Sequence, residues 1–396
     1  MNGPILLCMG TRTEIVKMSP LHRALSRSPI PVAVLHTGQQ REMAWQLFDF
    51  LEMRPDRIVK LVRTNDSLAH LSALILEELY GVLLGFNPRA VIVHGHSSGA
   101  LMAALAAFYR KIPVGHVEAG LRSGSMYDPF PEEKNRELIG RLARWHFAPT
   151  EQARSNLMRE GIDSERIHCV GNTIVDAIRW GVRHVASLPA DGASVLPEPL
   201  AALPKALSDK RLVLVTANRR ENWGEGIALI ARTIRQALES NPGLVIVWPV
   251  DSNPNVQPSV YAQFEGLAAE PQSRLFLCDP LAYPALLWML QNAWLVMTDS
   301  GGLQEEAASL GVPAFVLRET TERPELIAAG GAVLVGTEPR TILDKLATVM
   351  TSEAVYRRMR QAKNPFGDGR TGQAIADILC AALGDAEAET ADLEHH

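Results

Sequence analysis

The stretch "WLVMTDSGGLQEEAASLGVPAFVL", residues 294–317, decides the fold. It opens on an apolar run, WLVMT (294–298), and turns through Asp299-Ser300-Gly301-Gly302. A helical pattern starts near Leu303 and leads to a second apolar run, PAFVL (313–317). Strands covered on both faces read as nearly continuous hydrophobic runs, and a helix between two of them makes a parallel βαβ crossover. Such sheets take their ligands at the carboxyl ends of the strands. Ser300 and the Gly301 and Gly302 amides at a helix N-terminus suit a diphosphate. Glu305 and Glu306 are expected in the first turn, where one can reach a ribose diol, and RETTERPE (318–325) adds Arg318 and Arg323 in a loop after the next strand. Each charge taken singly fits a solvated loop; the ordered set fits a nucleotide site.

The same alternation runs outward in both directions. Strand candidates are 5–9, 31–36, 57–62, 90–93, 112–117 and 146–149, then 211–215, 244–249, 274–278, 294–298, 313–317 and 332–335. Between the two sets, LPADGASVLPEPLAALPKALSD (188–209) is rich in Pro and Ala and weakly periodic. The expectation is an α/β protein of two doubly wound domains, 1–180 and 205–365, with a cleft between them. A last helix, about 366–390, is expected to pack back on the first domain, leaving 391–396 as a tail whose "LEHH" resembles the stub of a purification tag.

Length and composition are ordinary for a globular protein: 396 residues, 47% hydrophobic, 21% charged, net charge −5. No basic patch points to nucleic acid. The N-terminus has no cationic region before its apolar run, and no uninterrupted apolar run of about 18 residues predicts a membrane span. Cys8, Cys169, Cys278 and Cys380 are far apart with no CxxC spacing, as expected of reduced thiols in a cytoplasmic protein.

Four further stretches carry chemistry. GTRTEIVK (10–17) sets Arg12 and Lys17 near a helix N-terminus, an anion site or surface charge; it is neither GxGxxG nor a Walker loop. ANRREN (217–222) clusters Asn218, Arg219, Arg220 and Asn222 after a strand, where Arg and Asn can hold phosphate oxygens or cap a helix. GHVEAGLRSGSMYDPFPEEKNREL (115–138) carries Glu118 at a strand end, followed by small residues that would admit a ligand to the backbone, and Glu132-Glu133 opening a helix. Carboxylates so placed can serve as acid or base, or as helix N-terminal charge. AVIVHGHSSGAL (90–101) ends a strand in His94-Gly95-His96; residues two apart share a strand face, but two histidines are too few ligands for a metal site.

Read together, GTRTEIVKMSPL, TGQQREM, GHVEAGLRSG, PFPEEKNREL, GNTIVDA, NRRENWGEGI, TDSGGLQEEAASLGVPAFVLRETTERPE and LVGT resemble the bacterial non-hydrolysing UDP-N-acetylglucosamine 2-epimerase family, in the family's order and over nearly the whole chain. The resemblance implies a GT-B fold of two Rossmann-like domains, a UDP-sugar in the cleft, a homodimer and no redox cofactor. It implies elimination of UDP from UDP-GlcNAc to 2-acetamidoglucal, then re-addition to give UDP-ManNAc. Residue by residue, Arg12 and Lys17 match nucleotide and sugar contacts, Arg219 lies in the motif that holds the diphosphate, and Ser300, Gly301 and Gly302 match the phosphate turn. Glu306 matches the ribose acid, Arg323 the Arg of TTER, and Glu118 and Glu132 two catalytic carboxylates.

The chain departs from the family pattern where it matters. His96 stands where the "HGDT" motif has its catalytic aspartate, and Asn218 where "HRREN" has a catalytic histidine. TGQQ (37–40) replaces "TGQH", Asp251 replaces the histidine of "HxNPNV", and Leu286 replaces an aromatic near the uracil. The phosphate half is nearly intact and the acid-base half altered. Three outcomes are open: a 2-epimerase in which His96 takes the aspartate's role, an enzyme with a changed outcome (release of ManNAc and UDP, or another UDP-sugar), and a silent sugar-nucleotide binder. Loss of the histidines matched to the family's regulatory substrate site predicts weakened activation by UDP-GlcNAc.

Overall fold

The computed structural model describes residues 3–39, 41–127, 129–188 and 194–393; Gln40 of the TGQQ stretch and the end of the tail, 394–396, lie outside them. The chain divides into two units, Met1–Ala177 with Phe366–His396, and Ile178–Pro365.

Among the described residues the first unit holds seven parallel strands: β1 (Ile5–Met9), β2 (Val32–His36), β3 (Arg57–Ile58), β4 (Ala90–His94), β5 (Val114–Val117), β6 (Trp145–Ala148) and β7 (Ile167–Cys169), in the order β3-β2-β1-β4-β5-β6-β7. β1 and β4 are buried at every residue, and β5 and β6 likewise, which is why their sequences show no polar alternation. The run at 57–62 yields only a two-residue edge strand, paired through Leu35↔Arg57 and His36↔Ile58. β7 has no counterpart among the strands expected from the sequence: three residues with only Ile167 buried leave no hydrophobic run to find.

The second unit has β8 (Arg211–Thr216), β9 (Leu244–Pro249), β10 (Leu275–Cys278), β11 (Ala293–Thr298), β12 (Ala314–Val316) and β13 (Ala332–Leu334) in the order β10-β9-β8-β11-β12-β13, again all parallel. In each sheet the strand order reverses once, between β1 and β4 and between β8 and β11. A crevice opens at the carboxyl ends of such a pair, because the two following helices leave on opposite faces. Gly10 follows β1 and His94 ends β4 in one pair; Asn218 and Asp299 lie just past the strands of the other.

Helix Thr371–Leu393 returns to the first unit and packs on helix Arg12–Leu25. The approach is close enough that a Cβ on Gly372 would lie 2.7 Å from the Pro20 carbonyl carbon. Its first amides, Thr371 and Gly372, donate to the Asp176 carboxylate at 3.3 and 3.0 Å, the usual anionic partner for a helix N-terminus. Helix Leu68–Phe86 is, among the described residues, the one long and apolar enough by length and composition to cross a bilayer. Glu77 and Glu78 stand in its middle, and Ile75, Leu79 and Leu83 bury one of its faces in the unit's core.

Candidate active site

In the first unit the site is built around Glu118, the residue after β5. Its φ is +63°, a conformation costly for a side chain other than glycine's, and it is 5% exposed. Three groups converge on its Oε2: the Lys17 ammonium in an ion pair, the Asn172 amide donating at 2.9 Å, and His94 Nε2 at 3.6 Å. Lys17 is 1% exposed. It arrives from helix Arg12–Leu25, whose capping box makes Glu14 accept from the Gly10 and Thr11 amides at 2.6 and 3.0 Å. Those helix-start amides, a candidate anion site in the sequence, therefore already hold the chain's own carboxylate, while Arg12 stands half-buried beside them.

Asn172 was not singled out in the sequence. Its signal was the Gly-Asn-Thr that opens helix Thr173–Ala186, where Asn172 Oδ1 also accepts from the Ile174 amide at 3.0 Å. The small residues after Glu118 serve the fold itself. A Cβ on Gly120 would lie 2.2 Å from the Ala153 carbonyl oxygen, so the glycine admits helix Glu151–Arg159 instead of a ligand.

The adjacent carboxylates Glu132 and Glu133 part company at the start of helix Glu132–Leu142. Glu133 is buried; it accepts from the Ser123 and Gly124 amides at 2.9 and 3.2 Å and from Arg136 at 2.9 Å, pinning the loop that follows Glu118. Glu132 is half-buried at the first helical position. His94 and His96 do not share a strand face: β4 ends at His94, and Gly95 at φ +68° turns the chain. His94 is 2% exposed beside Glu118, and His96 is half-buried, its carbonyl accepting from the Asn135 amide at 2.9 Å.

The second unit's centre is a residue the sequence offered only as part of a turn. Asp299 is fully buried, and its Oδ2 accepts from the backbone amides of Asn218 (3.0 Å) and Arg219 (2.9 Å) and from the Asn222 side chain (3.0 Å). Burial pushes its carboxyl up, and the three donors oppose that rise. One carboxylate at the end of β11 thus shapes the whole strand-end loop after β8. Asn218 is exposed and donates to Asp251 at 3.0 Å, so two of the chain's departures from the family pattern touch each other; Arg219 is half-buried.

The helix after β11 begins at Gly301, with Ser300 as its N-cap accepting from the Leu303 amide at 3.5 Å. That start, two residues earlier than expected, moves Glu305 and Glu306 into the second turn. Glu305 is 1% exposed and pairs with Arg323 at 2.9 Å; Glu306, on the next position, is half-buried. Arg323 also meets Glu322 at 2.8 Å and lies so close that a Cβ on Gly301 would be 2.5 Å from its Nη1. Gly301 is what lets the guanidinium reach the Ser300-Gly301-Gly302 turn. Arg318 is held by Glu221 and Glu322 at 2.9 and 3.2 Å.

Burial gives one solution property directly. His116 in β5 and His146 in β6 are cross-strand partners, both fully buried, and desolvation lowers them to about 3 and about 4. An unfolded histidine titrates at about 6.5, so below that pH the unfolded chain binds more protons. The stability present above pH 6.5 is lost progressively as pH falls from there towards the folded values, about 2 kcal/mol per histidine by about pH 5. Urea midpoints measured at about pH 7.5 and pH 5 should fall accordingly; an unchanged midpoint would refute the assignment.

Two doubly wound Rossmann-like domains, each with its polar residues gathered at the sheet's switch point, define a GT-B protein. Residues 23–380 match the family model described as UDP-N-acetylglucosamine 2-epimerase. Proteins of that name from Yersinia pestis and Escherichia coli K12 are each 41% identical, over 95% of this chain and 98% of theirs. The crystal structure of the Neisseria meningitidis UDP-GlcNAc 2-epimerase bound to UDP-GlcNAc matches with a TM-score of 0.88 at 36% identity, covering 96% of this chain and 100% of that one. The Methanocaldococcus jannaschii UDP-GlcNAc 2-epimerase in complex with UDP-GlcNAc and UDP matches at 0.76 and 31%, over 96% and 99%. The chain belongs to the UDP-N-acetylglucosamine 2-epimerase family, an enzyme family of isomerases.

Proposed function

We propose that the chain interconverts UDP-GlcNAc and UDP-ManNAc. The C2–H bond breaks with its proton going to Glu118, the C1–O bond breaks with its electrons leaving on UDP, and C1=C2 forms as 2-acetamidoglucal. UDP then returns to C1 while C2 takes a proton on the opposite face. The observation that carries this reading is the buried carboxylate of Glu118, fixed on a strained backbone by Lys17, Asn172 and His94. A positioned carboxylate is what abstraction of a weakly acidic proton requires. Glu132 and His96 supply the second acid-base function, His96 in the aspartate's place. Asn218, in place of a catalytic histidine, acts beside the departing diphosphate.

Arg219, Ser300, Gly301, Gly302 and Arg323 bind the diphosphate and stabilise it as it leaves, Glu306 binds the ribose, and Arg12 adds a cation from the first unit. Lys17 acts mainly by holding Glu118. No redox cofactor takes part. Incubation with UDP-GlcNAc in heavy water tests the reading: deuterium at C2 of a UDP-sugar is expected. Free ManNAc would mean hydrolysis, the outcome that the replacements His96 and Asn218 favour if epimerisation fails. UDP-sugar binding without exchange would mean a silent binder.

The acting form is a homodimer, in the cytoplasm, where the chain's four free cysteines stay reduced. Tyr80 and Leu84 on helix Leu68–Phe86, with Phe108 and Tyr109 at the end of helix Ser98–Tyr109, are 41–58% exposed on the first unit. Exposed large apolar side chains gathered on two packed helices suit a self-complementary interface. Leu84→Glu should shift the mass measured by light scattering from dimer to monomer; a monomeric parent chain, or a variant that stays dimeric, refutes this face.

A further inference from the structure

β5 carries a buried polar residue of its own besides the carboxylate that follows it. His116 is fully buried in the middle of the strand, and its Nε2–H donates to the Gly95 carbonyl at 2.8 Å. The Gly95 amide donates in turn to the Val117 carbonyl at 3.0 Å. Both polar groups of Gly95, the one residue whose positive φ turns the chain between His94 and His96, are therefore held by β5. One residue further on, the His96 carbonyl accepts from Asn135 of helix Glu132–Leu142, at 2.9 Å. The turn is tied on one side to the strand that ends at Glu118 and on the other to the helix that begins at Glu132.

A histidine is a costly residue for this place if packing were its task. His116 Nδ1 has no partner among the described residues, and the cross-strand neighbour is another buried histidine, His146. A leucine would fill the space without burying an unpaired acceptor. What a leucine lacks is the donor aimed at Gly95. Burial keeps the ring neutral at working pH, so Nε2 carries a proton for that bond and the tautomer is fixed.

We propose that His116 and Asn135 are positioning residues for the proton-transfer groups: their hydrogen bonds to the Gly95 and His96 carbonyls fix the turn that places His94 against Glu118 and presents His96. The proposal rests on the epimerase reading given above, and it acts on the chemical step, since the residues assigned to UDP, Arg12 apart, lie in the other unit.

The test compares His116→Leu with His116→Gln, which keeps an N–H near the Nε2 position, and adds Asn135→Asp, nearly isosteric but without the donor. Expected for His116→Leu and Asn135→Asp is a fall in kcat of about 100-fold, the scale of a misplacement of about 1 Å in a catalytic group. KM for the UDP-sugar and Kd for UDP should stay within about threefold, and His116→Gln should recover kcat to within about fivefold. Amide hydrogen exchange across 94–97, read on the same proteins, should quicken in the Leu and Asp variants and not in the Gln variant. Exchange unchanged in both, or Leu and Gln losing kcat equally, overturns the proposal. A parent chain without epimerisation, but with exchange responding as expected, would sink the reaction and leave the clamp standing. If His116→Leu does not fold, Asn135→Asp decides.

Discussion

Glu118→Gln is expected to lower the rate of deuterium entry at C2 by at least about 10³-fold, because it removes the proton acceptor while leaving the diphosphate groups of the second unit intact. UDP should bind with nearly unchanged affinity. The same substitution takes the carboxylate from Lys17, which is 1% exposed. Withdrawing one partner of a buried ion pair costs about 3–5 kcal/mol, since the remaining charge stays desolvated. The variant should therefore unfold at lower denaturant as well as lose activity, and loss of activity by itself would not separate the two effects. The double variant Lys17→Met/Glu118→Gln does: stability should return most of the way, and exchange should not. Recovery of exchange in the double variant, or exchange persisting in Glu118→Gln, would show that the proton goes elsewhere.

The second large effect is expected at Asp299, which touches no ligand in the proposed reaction. Asp299→Ala strands the amides of Asn218 and Arg219 and the Asn222 side chain, all of which donate to one oxygen. A buried donor left unpaired costs about 1–3 kcal/mol; that of Asn222 is buried and the two backbone amides partly so, and with all three unpaired the loop should shift. Affinity for UDP, measured by calorimetry, should fall at least about 100-fold, with a lower melting temperature. Asp299→Asn, which keeps one acceptor oxygen, should fall between the two. A Kd within threefold of the parent value would mean that the 218–222 loop is not what Asp299 organises for binding.

How much of this was legible in the sequence follows from what each signal measures. Hydrophobic runs report burial on both faces, so β1, β4, β5, β8, β9 and β11 were readable to within a residue or two, and the two-domain α/β class with them. Edge strands bury little, so β3 was overextended and β7 unseen. The Ser-Gly-Gly turn and the TTER arginine were readable as local motifs, although the reason for Gly301, a Cβ that would lie 2.5 Å from Arg323 Nη1, is a contact made only in the fold. Asn172 and Asp299 were harder, since an Asn before a helix and an Asp after a strand read as ordinary caps. Their partners Glu118, Asn218, Arg219 and Asn222 lie 54 to 81 positions away along the chain.

The sequence by itself determined the parallel sheets, the places where their strands end, the residue types gathered there, and the family to which they belong. Local patterns set those features, and a local pattern can be read one residue after another. Only the tertiary structure decided which of the charges meet. It joined Lys17 to Glu118, separated Glu132 from Glu133, put Asp299 under the Asn218–Asn222 loop, and turned His96 away from the face of His94. Those pairings form between residues far apart in the chain and are selected by the cost of burying a charge without a partner, a condition that has no meaning until the chain has folded.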